Sequence, residues 1–372
     1  MKKYLILAAA AALTLASCAK VENYTRSTND GRQVIGFSNY APKSLTRADA
    51  DNYVAATALV SDADFDVWAW YTANGTSFDG TNGTAYFSNW YTVVYKGGDN
   101  TTDGSVNEYP DGARYWPAGD TPDYLHFFAY YPSDAGTITA PAAGLGAFSF
   151  TAEASAADQV DFMVADVVKD QVYGATNSNI SADGTVDLKF RHQLTKVQVK
   201  FKTTAAIVAD TNTNIFVTDA KFGNINNTGT LTASYDGAAT TTVWSSQSGT
   251  ASYAIPFDAT AALTATATNY GDDETGLFLL VPQTMLANTN ASAQYIEVSW
   301  KVVTDGITTN NTRKIYLDDC VDTDGGSNPA DIDWEKNNFI TYVITIAPAQ
   351  ILFTGAAYDW DTETFGYYNI NG

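Results

Sequence analysis

Polar and apolar positions alternate one for one in several stretches of this chain. Lys196-Val197-Gln198-Val199-Lys200-Phe201 sends Val197, Val199 and Phe201 to one side, and Ile296-Glu297-Val298-Ser299-Trp300-Lys301-Val302 repeats the pattern. A period of two is that of an extended strand, whose successive side chains point to opposite faces. Further strands are predicted at Asp66–Tyr71, Tyr86-Phe87, Val93–Tyr95, Tyr124–Tyr131 and Tyr342–Ile346. Leu277–Val281 is apolar without a break and ends at Pro282, which predicts a strand covered on both faces. Asn-Gly or Asp-Gly pairs at 74–75, 79–80, 82–83, 103–104 and 111–112 supply residues suited to the positive φ of tight turns. Only the first few residues and the Ala-rich Thr151–Ala157 read as helical. The expectation is an all-β, sandwich-type fold.

One strand-like segment stands apart. Val34-Ile35-Gly36-Phe37-Ser38-Asn39-Tyr40 puts Ile35 and Phe37 on one face, and the loop Ala41–Arg47 then carries a basic residue on a Pro-containing linker, the kind of site that proteases cut. The chain turns polar between Tyr173 and Thr185, which predicts a boundary there. With 372 residues, about two domains are expected, at 48–185 and 186–372.

Composition strengthens the β reading: 23 Tyr, 18 Phe and 8 Trp accompany abundant Thr and Val. The net charge of −21 argues against nucleic acid as a partner, because phosphate recognition needs clustered Lys and Arg. Met1-Lys2-Lys3 followed by the apolar run Tyr4–Leu15 reads as an export signal, too short for a spanning helix. It ends in Leu15-Ala16-Ser17-Cys18, a lipobox pattern that makes residues 1–17 a lipoprotein signal peptide and Cys18 the lipidation site. Ala19 and Lys20 follow, without the Asp associated with inner-membrane retention, so delivery to the outer membrane is expected.

Catalytic chemistry is scarce. His126 and His192 both sit inside strand patterns, and no G-x-S-x-G, P-loop, zincin or CxxC signature is present, so neither an enzyme nor a cofactor is expected. Once Cys18 is lipidated, Cys320 is the one remaining thiol, and Asp318, Asp319, Asp322 and Asp324 around it disfavour the thiolate. Asp322 and Asp324 offer oxygen ligands for calcium but lack the EF-hand spacing, which favours a solvated acidic turn. Trp90, Tyr91, Tyr115 and Trp116 offer ring faces for a host or microbial glycan, or serve a sandwich core.

Taken in order, several short motifs resemble the fimbrillin family, pilins of the type V, protease-assisted kind. They are the lipobox at Cys18, Thr46-Arg47-Ala48, Tyr115-Trp116-Pro117, Phe127-Phe128-Ala129-Tyr130-Tyr131-Pro132, Phe190–Val197, and Trp334 ahead of Phe339–Tyr342. The resemblance implies a lipoprotein precursor of two tandem transthyretin-like Greek-key sandwiches, cut between Arg47 and Ala48 by an Arg-specific protease. Residues 18–47 would then be a propeptide whose strand, with Val34, Ile35, Phe37 and Tyr40, leaves a groove for a strand of another pilin subunit. Cutting there removes seven basic residues against two acidic ones and takes the charge from −21 to −26. The C-terminal stretch, with Phe365, Tyr367, Tyr368 and Ile370, is the candidate donor, or else completes its own subunit. The competing reading is a monomeric, outer-membrane-anchored lipoprotein that binds glycan.

Overall fold

The computed structural model describes residues 33–38, 63–95, 107–117, 123–135, 137–138, 145–173, 184–268, 276–322, 333–348 and 350–359. The fold is all-β, and among the described residues one short α-helix, Ala205–Ala209, interrupts the strands. Thr151–Ala157 is not helical: Thr151 closes the strand Ala147–Thr151, and Ala156 opens a single 3-10 turn, Ala156–Asp158. So short a connection cannot offset the cost of helix nucleation.

The first sheet is antiparallel and runs in the order Phe190–His192, Met163–Ala165, Tyr124–Tyr131, Ala63–Thr72, Tyr91–Tyr95, Asn107–Glu108. Its central strands are apolar at both odd and even positions, so both faces of the sheet are buried. Phe65, Val67, Ala69, Leu125, Phe127 and Ala129 face one core; Trp68, Trp70, Phe128 and Tyr130 face another. The first core is closed by Ile35 and Phe37 from the N-terminal segment, with Tyr109, Trp116 and Val186.

The second core meets a sheet of Thr240–Ser248, Thr228–Tyr235, Ala147–Thr151 and Thr137–Ile138. Phe148 packs edge-on against Tyr130, with ring centroids 5.4 Å apart. Ala147–Thr151 is antiparallel to Thr228–Tyr235, so this sheet joins strands from either side of residue 185.

Two further sheets lie face to face. One has the order Leu277–Leu280, Thr195–Lys202, Asn338–Ala347, Gln350–Asp359, Val321–Asp322; the other Ala251–Ala254, Thr213–Ile225, Tyr295–Thr304, Ile307–Tyr316. Phe278 meets Phe222 and Tyr253 across the gap at 5.5 and 6.0 Å between ring centroids. Leu277–Leu280 is not covered on both faces as expected: Phe278 and Leu280 are buried, while Leu277 and Leu279 are half-buried. It lies at the end of its sheet, where the Gln159 side chain accepts the Leu279 N–H at 2.6 Å. Gln350–Asp359 pairs in register with Asn338–Ala347 of the same chain, from Asn338 opposite Asp359 to Ala347 opposite Gln350.

Candidate functional site

Residues 33–38 occupy a slot between a loop edge and the short strand Thr185–Asp187. On one side the Ile35 N–H donates to the Arg114 carbonyl at 2.8 Å and the Trp116 N–H to the Gln33 carbonyl at 2.9 Å, an antiparallel bridge centred on Val34 and Tyr115. On the other side Gly36–Ser38 runs parallel to Thr185–Asp187, and the Gly36 N–H donates to the Gly184 carbonyl at 3.2 Å. Two side chains reach the segment from the edge strand Asn107–Glu108 and the residue just past it: Asn107 Oδ1 accepts the Phe37 N–H at 2.8 Å, and the Tyr109 hydroxyl donates to the Ile35 carbonyl at 2.7 Å.

The side chains alternate as the sequence predicts. Ile35 is 0% and Phe37 2% exposed, and the Phe37 ring meets Phe127 and Phe65 edge-on at 5.6 and 6.3 Å between centroids. Gly36 lies against the opposite wall, where an added Cβ would stand 3.0 Å from Thr185 Oγ1. The pattern is therefore large, small, large. Burying each large side chain contributes about 1.5–3 kcal/mol. The main-chain bonds add about 1 kcal/mol apiece and would leave costly unpaired groups if the slot were emptied.

The slot is itself braced. The Gly184 carbonyl also accepts the Trp116 indole N–H at 3.1 Å, and the Gly184 φ of +82° is a conformation L side chains rarely adopt. The Tyr109 ring stacks on Tyr91 at 6.0 Å between centroids, and the Arg114 guanidinium lies 4.4 Å over the Tyr91 ring. Burial, with Tyr91 nearby, pushes the Tyr109 phenol above its ordinary range, so it stays a protonated donor to Ile35.

Of the residues singled out in the sequence, Val34, Ile35 and Phe37 come together in this slot. Cys18, Tyr40, Arg47, Ala48, Asp324, Phe365, Tyr367, Tyr368 and Ile370 lie outside the described residues, as does the side chain of Asp322. The four aromatics do not form an exposed sugar platform. Tyr91 and Trp116 are 2% exposed, and Tyr115 is half-buried with its carbonyl accepting the Tyr86 hydroxyl at 2.6 Å. Trp90 packs into the opposite core against Trp68 and Tyr130, because neighbouring positions of an extended chain face opposite ways. Asn107, Tyr109 and Gly184 were not anticipated from the sequence.

The histidines are built into the packing. His126 Nδ1 accepts the Asp170 N–H and Nε2 lies 2.9 Å from Thr72 Oγ1, which assigns the ring proton to Nε2. Burial lowers the His126 pKa to about 4, outweighing the Asp170 carboxylate, which acts upward. His192 is buried with Nδ1 2.7 Å from an Asp161 carboxylate oxygen. Among the described residues no group of three His, Cys, Asp or Glu side chains is placed to hold a metal ion.

A family model described as fimbrillin-like matches residues 46–360, so the slot-filling segment 33–38 lies ahead of the match. The crystal structure of a fimbrial protein from Bacteroides vulgatus ATCC 8482 matches with a TM-score of 0.54 and 20% identity, covering 88% of this chain and 99% of that one. A candidate cell adhesion protein from Bacteroides uniformis ATCC 8492 matches with a TM-score of 0.49 and 14% identity, over 90% of this chain and 100% of that one. A comparison with curated proteins finds no match.

Proposed function

We propose a function from one premise: the chain belongs to the fimbrillin-like family. It is a structural, non-enzymatic protein with a role in fimbriae and adhesion at the cell surface. In our reading it is made as a lipoprotein precursor, lipidated at Cys18 and carried to the outer membrane. An Arg-specific protease cuts between Arg47 and Ala48, the segment containing Ile35 and Phe37 leaves, and a strand of another subunit takes the slot.

One observation carries this reading. A short segment ahead of the family match fills a slot in the core with two large side chains, and neighbouring segments of the same chain hold it mainly by its backbone. Such a segment can be replaced by any strand with the same alternation, and an emptied slot exposes apolar surface and unpaired N–H and C=O groups until one enters. Gln350–Asp359 is already paired within its own chain, so the donor in this reading comes from beyond it, where Phe365, Tyr367, Tyr368 and Ile370 lie.

The test is to treat the precursor, without residues 1–17, with an Arg-specific protease, then to sequence the new N-terminus and size the product. We expect a terminus at Ala48 and a ladder of oligomers. A folded monomer that resists cleavage, or one cleaved at Arg47 that never assembles, would overturn the proposal.

A further inference from the structure

A cavity of about 250 Å³ lies away from the slot, between the strands Met163–Ala165 and Phe190–His192, the turn before Asn338–Ala347 and the start of Thr240–Ser248. We propose that it binds a small carboxylate-bearing ligand, about one acidic sugar ring in size, through the Lys336 ammonium and the Thr240 hydroxyl. The proposal does not depend on strand exchange.

The hydrogen-bond inventory of the cavity is one-sided. The Asp166 carboxylate is taken by Arg191, whose Nε and Nη2 donate to it at 2.9 and 2.8 Å. Gln193 Oε1 accepts the Thr242 hydroxyl at 2.8 Å, while the Gln193 amide N–H donates to the Arg191 carbonyl at 2.9 Å. Lys336 Nζ donates to both the carbonyl and the hydroxyl oxygen of Thr242, each at 2.7 Å. The acceptors of this network are thus engaged by protein donors, whereas an ammonium has three N–H groups and Lys336 has used two. Thr240 Oγ1 accepts the Val167 N–H at 2.8 Å, which leaves its own proton to donate.

Charge points the same way. The chain carries 41 acidic residues against 20 basic ones, yet this cavity brings Arg191 and Lys336 together with Asp166 alone among acidic side chains. Among the described residues no carboxylate pairs with Lys336. Its half-buried ammonium is held below its ordinary pKa by desolvation first and by the Arg191 charge second, and an incoming carboxylate would relieve both. The volume falls just below the usual span of ligand pockets, about 300–1,000 Å³, which restricts an occupant to about a single ring.

The test is calorimetric titration of the precursor without residues 1–17, using N-acetylneuraminate and glucuronate as acidic probes and N-acetylglucosamine as the neutral control. We expect saturable binding of at least one acid that weakens with added salt, and none of the neutral sugar. Lys336→Met should weaken binding roughly tenfold or more, the loss typical of a hydrogen bond to a charged group. Thr240→Val should weaken it by a smaller factor; because the change also strips the Val167 N–H of its acceptor, its melting temperature should drop modestly, and affinity is read at a temperature where the variant is folded. If Lys336→Met does not fold, Thr240→Val decides the matter. Absence of saturable binding by both acids, equal binding of the neutral sugar, or unchanged affinity in a folded variant would overturn the proposal.

Discussion

Replacing Phe37 by Ala in the uncleaved chain removes a ring that is 2% exposed and wedged edge-on against Phe65 and Phe127. Truncating a buried Phe costs about 3–5 kcal/mol, from lost transfer free energy and the cavity left behind. The neighbours are themselves fixed in the central sheet, so little collapse is available and the loss should be near 4 kcal/mol, about the middle of that range. With a urea m-value of about 3 kcal/mol per M, the unfolding midpoint of the unit containing the slot falls by about 1.3 M. Trp116, 5.9 Å from Phe127 between ring centroids, lies in the slot's core as a fluorescence reporter. A second assay isolates the slot: a chain starting at Ala48 is titrated with a synthetic peptide spanning residues 33–38. The same peptide carrying Phe37→Ala should bind roughly a thousandfold more weakly, which is about 4 kcal/mol expressed as an affinity. A stability loss below about 1 kcal/mol, a midpoint shift of about 0.3 M, or peptides that bind equally, would refute the account of Phe37 as an anchor.

Asn107→Ala leaves the Phe37 N–H without its acceptor inside the core and should destabilise the uncleaved chain by about 1–3 kcal/mol, measured by urea unfolding. Gly36→Val meets Thr185 Oγ1 and should cost about 1–3 kcal/mol by overpacking; Thr185→Ala in the same chain should restore most of it, which a double-mutant cycle reads directly. His126 gives a pH dependence of fixed sign. Its pKa is about 4 in the folded chain against 6.5 ordinarily, so the unfolded chain takes the proton first. The His126 contribution is whole above pH 6.5, lost as pH falls towards 4, and amounts to about 3 kcal/mol. His126→Gln should flatten that part of the urea midpoint against pH.

Where burial imposed an alternation, the strands were legible. Tyr124–Tyr131 was read with its observed bounds because it is aromatic and apolar on both faces and stops at Pro132, and Lys196–Phe201 lacked one residue at each end. Thr228–Tyr235, Thr240–Ser248 and Ile307–Tyr316 were not read as strands. They are rich in Thr, whose β-branch suits a pleated surface while its hydroxyl silences a hydrophobic pattern. The strand half of the site was visible in Ile35 and Phe37, but the receiving half was not. Asn107 and Tyr109 lie 70 and 74 residues from their partners in the segment, and local periodicity carries no information at that range. The one available signal was Asp111-Gly112, which announced a turn just past Tyr109. Aromatic identity alone could not choose between sugar and core at Tyr91 and Trp116, since a ring suited to one is equally suited to the other; both are in the core.

The polar contacts described for residues 33–38 meet main-chain atoms of that segment, while its side-chain requirements are two sockets and a small residue between them. A slot of this kind holds very little sequence information. It specifies an extended backbone and a three-residue size pattern, and is silent about charge and composition elsewhere in the occupant. If the slot couples subunits as proposed, chains built on it would be free to diverge over nearly their whole surface and still fit one another, so mismatched subunits would have to be excluded by something other than the slot.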